Sequence, residues 1–155
     1  MSRRVLIADA NVDAADSLAL LLQLSGHRAF TAHTGPDALA MAAILHPEAV
    51  FLSLHLPRLS GLELCRVLCE GTRCPRPSLL VALTGDGDEK AREASRAAGF
   101  EHHLVKPADP GEILKLLRVA PASLSSQYGG VLKHFQSPVA PEKPDGYSVK
   151  NQIGR

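Results

Sequence analysis

The sequence predicts an α/β domain built on a doubly wound, five-stranded parallel sheet with five helices. This prediction depends on three observations. Short strand-like runs alternate with longer segments of helical period, the central runs are apolar on almost every residue, and polar residues follow the runs. Strands that helices cover on both faces have this composition. Successive strand–helix units joined by right-handed crossovers place such strands parallel in one sheet.

The central strand is predicted in the apolar run of residues 49–57, which stops at a proline. Val50, Phe51 and Leu52 are too uniformly apolar for a strand with one wet face, and the run is too short for a buried helix. Ser53 is its last polar side chain before the loop that contains Pro57. Short strand-like runs predict further strands at residues 5–8, 78–83 and 102–105, and alternation of apolar and polar residues predicts one at residues 28–32.

Five helices are predicted after these strands, from capping residues and helix breakers. The residues suited to capping are Asn11, Thr34, Ser60 and Asp109. The fourth helix opens in the polar segment 85–88 and ends at Gly99. Apolar spacing predicts the side chains that face the sheet, among them Leu24 on the first helix and Ala43 and Ile44 on the second.

Residues 1–119 are predicted to form one domain, and residues 120–155 a tail. The tail contains several prolines and glycines and has no sustained period. We therefore expect it to be flexible or loosely docked. Residues 131–135, Val-Leu-Lys-His-Phe, form an apolar patch within it, which indicates either a short docking turn or, as we prefer, part of a disordered tail.

Composition argues against several classes of partner. The net charge is +1, with 17 Lys and Arg against 16 Asp and Glu, and there is no Trp. This balance gives no electrostatic reason to expect nucleic acid or an anionic membrane as partner. Three cysteines and an N-terminus without a cleavage site predict a cytoplasmic protein without a disulfide framework.

Four polar side chains follow four of the predicted strands. They are Asp9, Ser53, Thr84 and Lys106. Because the carboxyl ends of parallel strands meet at one edge of the sheet, we expect an acid, two hydroxyls and an amine to converge there. Strand ends are often polar only because they meet water, but this combination indicates a site.

Several motifs occur in order along the chain. They are Val5-Leu-Ile-Ala-Asp9, Leu52-Ser-Leu-His-Leu-Pro57 with Ser60-Gly61, Ala82-Leu-Thr84-Gly85 and Leu104-Val-Lys106-Pro107. In type and spacing, these motifs resemble the receiver domain of two-component response regulators, over residues 4–118. The resemblance implies a flavodoxin-like fold and a role in phosphorelay signal transduction.

In that family, an Asp after the third strand accepts a phosphoryl group from a kinase phosphohistidine. Two acids after the first strand help to hold Mg²⁺, and a Thr or Ser and a Lys bind the phosphoryl oxygens. The resemblance places Ser53 at the phosphoacceptor position, Asp9 and Ala10 at the acid pair, and Thr84 and Lys106 at the phosphoryl-sensing positions. This chain therefore departs from the family at the acceptor and at one of the two acids.

These departures have chemical consequences. A serine hydroxyl needs a base to become a nucleophile, and no base for Ser53 can be identified, although His55 lies nearby in sequence. Mg²⁺ prefers carboxylate oxygen, so Asp9 alone is expected to bind it weakly or not at all. We expect Lys106 to pair with Asp9 instead. The resemblance also implies a cis peptide at Lys106-Pro107, which the sequence permits.

His103 falls where the family commonly has a switch aromatic residue. It predicts either a pH-sensitive element or, as we prefer, a strand histidine with no switch role. Cys65 and Cys69 lie four residues apart on the third helix, with Cys74 in the following loop. Small buried hydrophobes are the preferred interpretation of these cysteines, and exposed redox chemistry is the alternative.

The function predicted best is an atypical pseudo-receiver that signals by protein–protein binding, independently of phosphorylation and without enzyme activity. Its expected partner is a histidine kinase, another regulator or a second copy of itself. One alternative is a phosphorylatable single-domain regulator or phosphorelay shuttle that uses Ser53 or Asp9 as acceptor. The other is a small anion- or nucleotide-binding domain, against which the absence of a Gly-rich strand-to-helix turn argues.

Overall fold

Strands and helices alternate along residues 2–85 and 87–120, which are the residues that the computed structural model describes. In chain order the elements are β1 (Arg4–Ala8), α1 (Val12–Leu24), β2 (Arg28–Ala32), α2 (Gly35–Leu45), β3 (Ala49–Ser53), α3 (Gly61–Glu70), β4 (Leu79–Thr84), α4 (Glu89–Ala98), β5 (His102–Val105) and α5 (Pro110–Val119). The predicted tail beyond residue 120, with its patch at 131–135, lies outside the described residues. Of the helices described, none has the length and apolarity that crossing a membrane requires.

The five strands form one sheet in the order β2-β1-β3-β4-β5, and every pairing is parallel. This confirms the predicted fold class. The chain moves outward from β1 to β2 and then returns to place β3 on the other side of β1. In an open parallel sheet, the carboxyl ends of strands on either side of such a reversal border a crevice. Asp9 and Ser53 lie at this position.

Helices cover the sheet on both faces and produce two separate cores. One core joins α2, α3 and α4 to one face of the sheet, and the other joins α1 and α5 to the opposite face. Every residue of β3 is buried, as predicted for the central strand. Along β3, Val50 and Leu52 enter the first core and Phe51 the second, because successive strand residues point to opposite faces.

The helices begin at the predicted capping residues. The side chains of Asn11, Thr34, Ser60 and Asp109 each accept a hydrogen bond from the backbone N–H three residues later. At α3 the Glu63 side chain also accepts from the Ser60 backbone, which completes a capping box. Such caps satisfy amide groups that a helix cannot pair internally.

The orientation of α1 and α2 differs from the prediction. Leu24 is 78% exposed and Ile44 is 53% exposed, and Ala43 is exposed as well. Alanines take most of the inward positions, at Ala15, Ala19, Ala38 and Ala42, and Leu22, which apolar spacing also predicts to face inward, is fully buried. Small side chains let these helices lie close to the sheet, so the apolar residues at the helix ends remain in water.

Two adjacent arginines attach helix ends to the start of β1. The Arg3 guanidinium is buried and donates to the carbonyls of Leu117 and Ala120 at the end of α5. Arg4 donates to the carbonyls of Leu45 and His46 at the end of α2, at 3.0–3.1 Å. Because successive side chains point to opposite faces, the pair reaches one helix on each side of the sheet.

Replacing Arg3 with methionine should lower the free energy of unfolding by about 1–2 kcal/mol, because two buried carbonyls of α5 lose a charged donor. Urea denaturation measures this change. Arg28→Met is the matched control, because Arg28 is exposed on the edge strand β2 and should change stability little. Equal effects of the two substitutions would show that the contact to α5 does not stabilise the domain.

Candidate functional site

Four predicted site residues lie at the carboxyl ends of four strands. Asp9 follows β1, Ser53 ends β3, Thr84 ends β4 and Lys106 follows β5. The first three are buried, with 4%, 5% and 2% of their surface exposed, and about a third of the Lys106 side chain remains exposed. The edge of the sheet therefore holds these polar groups largely away from water.

An ion pair joins Lys106 to Asp9. The Lys106 Nζ lies 2.8 Å from Asp9 Oδ2 and 3.5 Å from Ser53 Oγ. The other carboxylate oxygen of Asp9 accepts the backbone N–H of Asn11 at 3.0 Å. The expected pairing of Lys106 with Asp9 is confirmed, and both oxygens of this carboxylate have a donor.

The backbone around Lys106 fixes the direction of its side chain. Its N–H donates to the Thr84 carbonyl at 2.7 Å, which extends the pairing of β5 with β4 by one residue. The Lys106–Pro107 peptide is cis. The Lys106 ammonium lies over the ends of β1 and β3, within reach of Asp9 and Ser53.

The surroundings of Ser53 do not activate its hydroxyl. Within the described part of the chain, the group in hydrogen-bonding reach of Ser53 Oγ is the Lys106 ammonium, and that contact is at the outer limit of the range. An ammonium donates protons and cannot act as the base that a serine nucleophile requires. His55 lies in the loop after β3 and is exposed. The geometry gives Ser53 a polar neighbour but no general base.

The site does not fit Mg²⁺ as the family resemblance would require. Mg²⁺ takes oxygen ligands and favours carboxylates. Of the four strand-end side chains, Asp9 alone is a carboxylate, and Lys106 and Asn11 already occupy its oxygens. Within residues 2–85 and 87–120, no group of three His, Cys, Asp or Glu side chains is placed to hold a metal ion.

The starts of two helices pack closely beside the site, and glycines make this possible. A Cβ on Gly61 would lie 2.3 Å from the carbonyl oxygen of Ser53. A Cβ on Gly35 would lie 2.2 Å from the carbonyl oxygen of Leu59. The first turn of α3 therefore packs directly against the end of β3. The start of α2 packs against the loop that joins β3 to α3.

His103 connects β5 to α4. Its Nδ1 lies 2.9 Å from the hydroxyl of Ser95, which is buried and donates its single proton to the Ala91 carbonyl. The hydroxyl therefore accepts from His103, with the proton assigned to Nδ1. That His103 is a strand histidine without a switch role, as we prefer, and the alternative of a pH-sensitive element both stay predictions.

Cys65 and Cys69 lie at the contact between α3 and the end of α4, and Cys74 lies in the loop after α3. Cys65 and Cys74 are buried, and Cys69 is partly exposed. Burial raises the pKa of the Cys74 thiol, and it also raises the pKa of the Cys65 thiol, with a further contribution from Cys69. Cys65 and Cys74 therefore have the buried character that the sequence predicts.

Two neighbours of the site residues were not predicted from the sequence. The Asn11 side chain is predicted as a helix cap, but the donation from its backbone N–H to Asp9 is not, and Ser95 is not among the predicted residues. Ser95 lies in a stripe with Ala91 and Ala98 at helical spacing, so a single polar residue in a stripe of small residues was the available signal.

A parallel five-stranded sheet with Asp9, Thr84 and Lys106 at its carboxyl edge is the arrangement of a receiver domain, and Ser53 is a departure from it. Residues 5–118 match the family model described as "Response regulator receiver domain". The chain belongs to this family.

Among curated proteins, the chain is similar to "Response regulator MprA" from two mycobacteria. It is 37% identical to the Mycobacterium tuberculosis protein over 118 residues, which cover 76% of this chain and 50% of that protein. It is 35% identical to the Mycobacterium ulcerans protein over 119 residues, with the same coverage. The chain thus spans about half the length of the curated relatives it matches.

Two solved structures show the same fold. The chemotaxis protein CheY4 of Vibrio cholerae superposes with a TM-score of 0.71 at 23% identity, covering 78% of this chain and all of that one. A CheY-like receiver domain protein of Methanospirillum hungatei gives a TM-score of 0.69 at 24% identity, covering 76% and 92%. At these identities the comparison concerns the fold.

Proposed function

We propose that this chain is a pseudo-receiver, a receiver module whose output does not depend on phosphorylation. It has no enzyme activity of its own and acts by binding a protein. The observation that carries the proposal is the Lys106–Asp9 ion pair beside Ser53. The lysine that would contact a phosphoryl group is engaged with a carboxylate, and the acceptor position holds a hydroxyl.

Chemistry at the acceptor position supports this proposal. An aspartate is anionic at neutral pH and can attack phosphorus directly, whereas a serine must first lose its proton. The neighbour of Ser53 Oγ is a cation that already donates to Asp9. Phosphorylation of Asp9 itself would require the carboxylate to leave Lys106 and the Asn11 N–H, at a cost in buried hydrogen bonds.

Binding of a protein partner remains the expected output of the module. A histidine kinase, another regulator and a second copy of this chain are the candidates. The net charge of +1 gives no support for a nucleic acid or a membrane surface. The surface around α4, β5 and α5 is the expected binding face, and its charged residues on α4 are of both signs.

Intact mass spectrometry after incubation with acetyl phosphate and Mg²⁺ tests the proposal. We expect the native protein to gain no phosphoryl group, because position 53 carries no carboxylate and the described residues hold no group of side chains placed to bind a metal ion. A gain of one phosphoryl group would contradict the proposal. Peptide mapping would then distinguish Ser53 from Asp9 as the acceptor, which is the outcome that a phosphorelay shuttle requires.

A pair of variants provides the positive control. Ser53→Asp restores the acceptor alone, and Ala10→Asp/Ser53→Asp also restores the second acid of the metal site. We expect a small mass gain for the single variant and a substantial gain for the double variant, because two more carboxylates can hold Mg²⁺. Absence of any gain in the double variant would show that residues other than these two prevent the reaction.

A further inference from the structure

Two thiols meet at the contact between α3 and α4. Cys65 and Cys69 lie one helical turn apart on α3, and both sulfurs approach the backbone of Gly99 after α4. A Cβ on Gly99 would lie 2.5 Å from Cys69 Sγ and 3.7 Å from Cys65 Sγ. Burial raises the pKa of the Cys65 thiol, and the neighbouring Cys69 thiol raises it further. Both sulfurs are therefore directed to one point, which a side chain at residue 99 would occupy.

This point is reached from the surface through Cys69. Cys65 is fully buried, whereas Cys69 is partly exposed and lies 3.9–4.0 Å from the carbonyls of Ala98 and Gly99. Arg76 pairs with Glu101 at 3.1 Å, and Glu101 and the neighbouring Cys69 raise the pKa of the Arg76 guanidinium against the effect of its burial. A guanidinium beside the outer sulfur can balance the negative charge of a bound thiolate.

We propose that Cys65 and Cys69 form a two-sulfur site for a thiophilic ligand, either Cu(I) or a trivalent arsenical. Thiolates are the ligands that such soft centres select. A soft centre that holds each sulfur at about 2.3 Å bridges two sulfurs up to about 4.6 Å apart. Two sulfurs that approach one point at residue 99, to 2.5 Å and 3.7 Å, can reach this separation by rotation of the Cys69 side chain.

The same geometry does not suit a disulfide. Side chains at positions i and i+4 of a helix have Cβ atoms about 5–6 Å apart. A disulfide needs Cβ atoms about 3.5–4.5 Å apart, so oxidation would distort α3. A bridging atom adds the missing length, which is why this pair favours ligand binding over oxidation.

The binding step requires no oxidant. An organoarsenical with two hydroxyl groups forms two As–S bonds and loses both hydroxyls, which leave as two water molecules with the two thiol protons. Cu(I) displaces the two protons directly. Cys69 reacts first because it is partly exposed. Cys65 then forms the second bond to the arsenic or copper atom, because its sulfur lies close to the atom that Cys69 has bound.

Phenylarsine oxide added to the folded full chain is the first probe. Intact mass should show one arsenical per chain in the native protein. Cys65→Ser and Cys69→Ser should each weaken retention against 2,3-dimercaptopropanol at least about 10-fold, since one sulfur is lost from the chelate. Cys74→Ser, the matched control, should bind as the native protein does. Equal retention in Cys69→Ser, or loss in Cys74→Ser, would overturn the proposal.

An alkylation assay on the native protein needs no variant. After arsenical binding and unfolding in urea, N-ethylmaleimide should modify Cys74 and leave Cys65 and Cys69 unmodified. Titration of Cu(I) against bathocuproine disulfonate is the second arm. If the protein withdraws Cu(I) from bathocuproine disulfonate only when both Cys65 and Cys69 are present, the ligand is of the copper type. If the protein binds the arsenical but does not withdraw Cu(I), the ligand is a metalloid. If neither the arsenical nor Cu(I) binds, the proposal is overturned.

Discussion

Replacing Gly61 with alanine should lower the free energy of unfolding by about 3 kcal/mol, the largest effect we expect from any single substitution near the site. The added Cβ would lie 2.3 Å from the Ser53 carbonyl oxygen and 2.9 Å from the Leu54 Cα. Both atoms belong to the backbone, so no side-chain rotation can relieve the overlap. The first turn of α3 would have to move away from β3 and weaken the Gly61 N–H bond to the Leu54 carbonyl. Urea denaturation measures the loss.

Gly85→Ala is the matched control for this substitution. Gly85 also follows a strand that ends at the site, but a Cβ there meets no atom within 4 Å. We expect its effect on the free energy of unfolding to be below about 0.5 kcal/mol. In a ¹H–¹⁵N spectrum, Gly61→Ala should shift the amide signals of Ser53 and Lys106. A change below about 1 kcal/mol in Gly61→Ala would show that α3 can move from β3 at little cost.

The elements of the fold could be predicted because their signals are local. A capping side chain such as Asn11 or Ser60 lies within three residues of the amide that it satisfies, and the burial of β3 is evident from its own five residues. Parallel order follows from the alternation of strands and helices. These inferences need no knowledge of distant contacts.

The inward faces of α1 and α2 could not be predicted as well. Both helices contain more apolar residues than one face can bury, so spacing alone does not choose between leucine and alanine. The choice depends on the distance of the helix from the sheet, which is a tertiary property. Ala42 rather than Ile44 faces the sheet because α2 lies close to it.

The composition of the site was predictable, and its close approaches were not. Topology brings Asp9 and Lys106 together, and the absence of an acceptor carboxylate leaves them as partners. By contrast, the contact of Gly61 with β3 and the meeting of two thiols at Gly99 depend on separations of a few ångströms between elements. No pattern of residue types in one segment contains that information.

Replacing Lys106 with methionine should lower the free energy of unfolding by about 2–3 kcal/mol. Methionine keeps the length of the side chain but leaves Asp9 as a buried charge without its cation, at 6% side-chain exposure. Breaking a fully buried pair costs about 3–5 kcal/mol, and the expected value is lower here because a third of the Lys106 side chain is exposed. Lys115→Met, on the exposed face of α5, is the control and should have little effect.

A double-mutant cycle separates the ion pair from the packing of the lysine stem. In an Asp9→Asn background the buried charge is gone, so Lys106→Met should cost less than about 1 kcal/mol. The difference between the two backgrounds is the coupling energy, which we expect to be about 1–2 kcal/mol. Equal losses in both backgrounds would show that Lys106 contributes through its methylene groups and not through Asp9.

The cycle also bears on the proposed function, because it measures how strongly Lys106 is held away from the acceptor position. A large coupling energy means that a phosphoryl group on residue 53 would have to displace Lys106 from Asp9 before contacting its ammonium. In Ala10→Asp/Ser53→Asp, two more carboxylates compete for that ammonium, and the coupling between Lys106 and Asp9 should fall. If the coupling is already near zero in the native protein, Lys106 is free to contact an anion, and the ion pair cannot be what makes the module independent of phosphorylation.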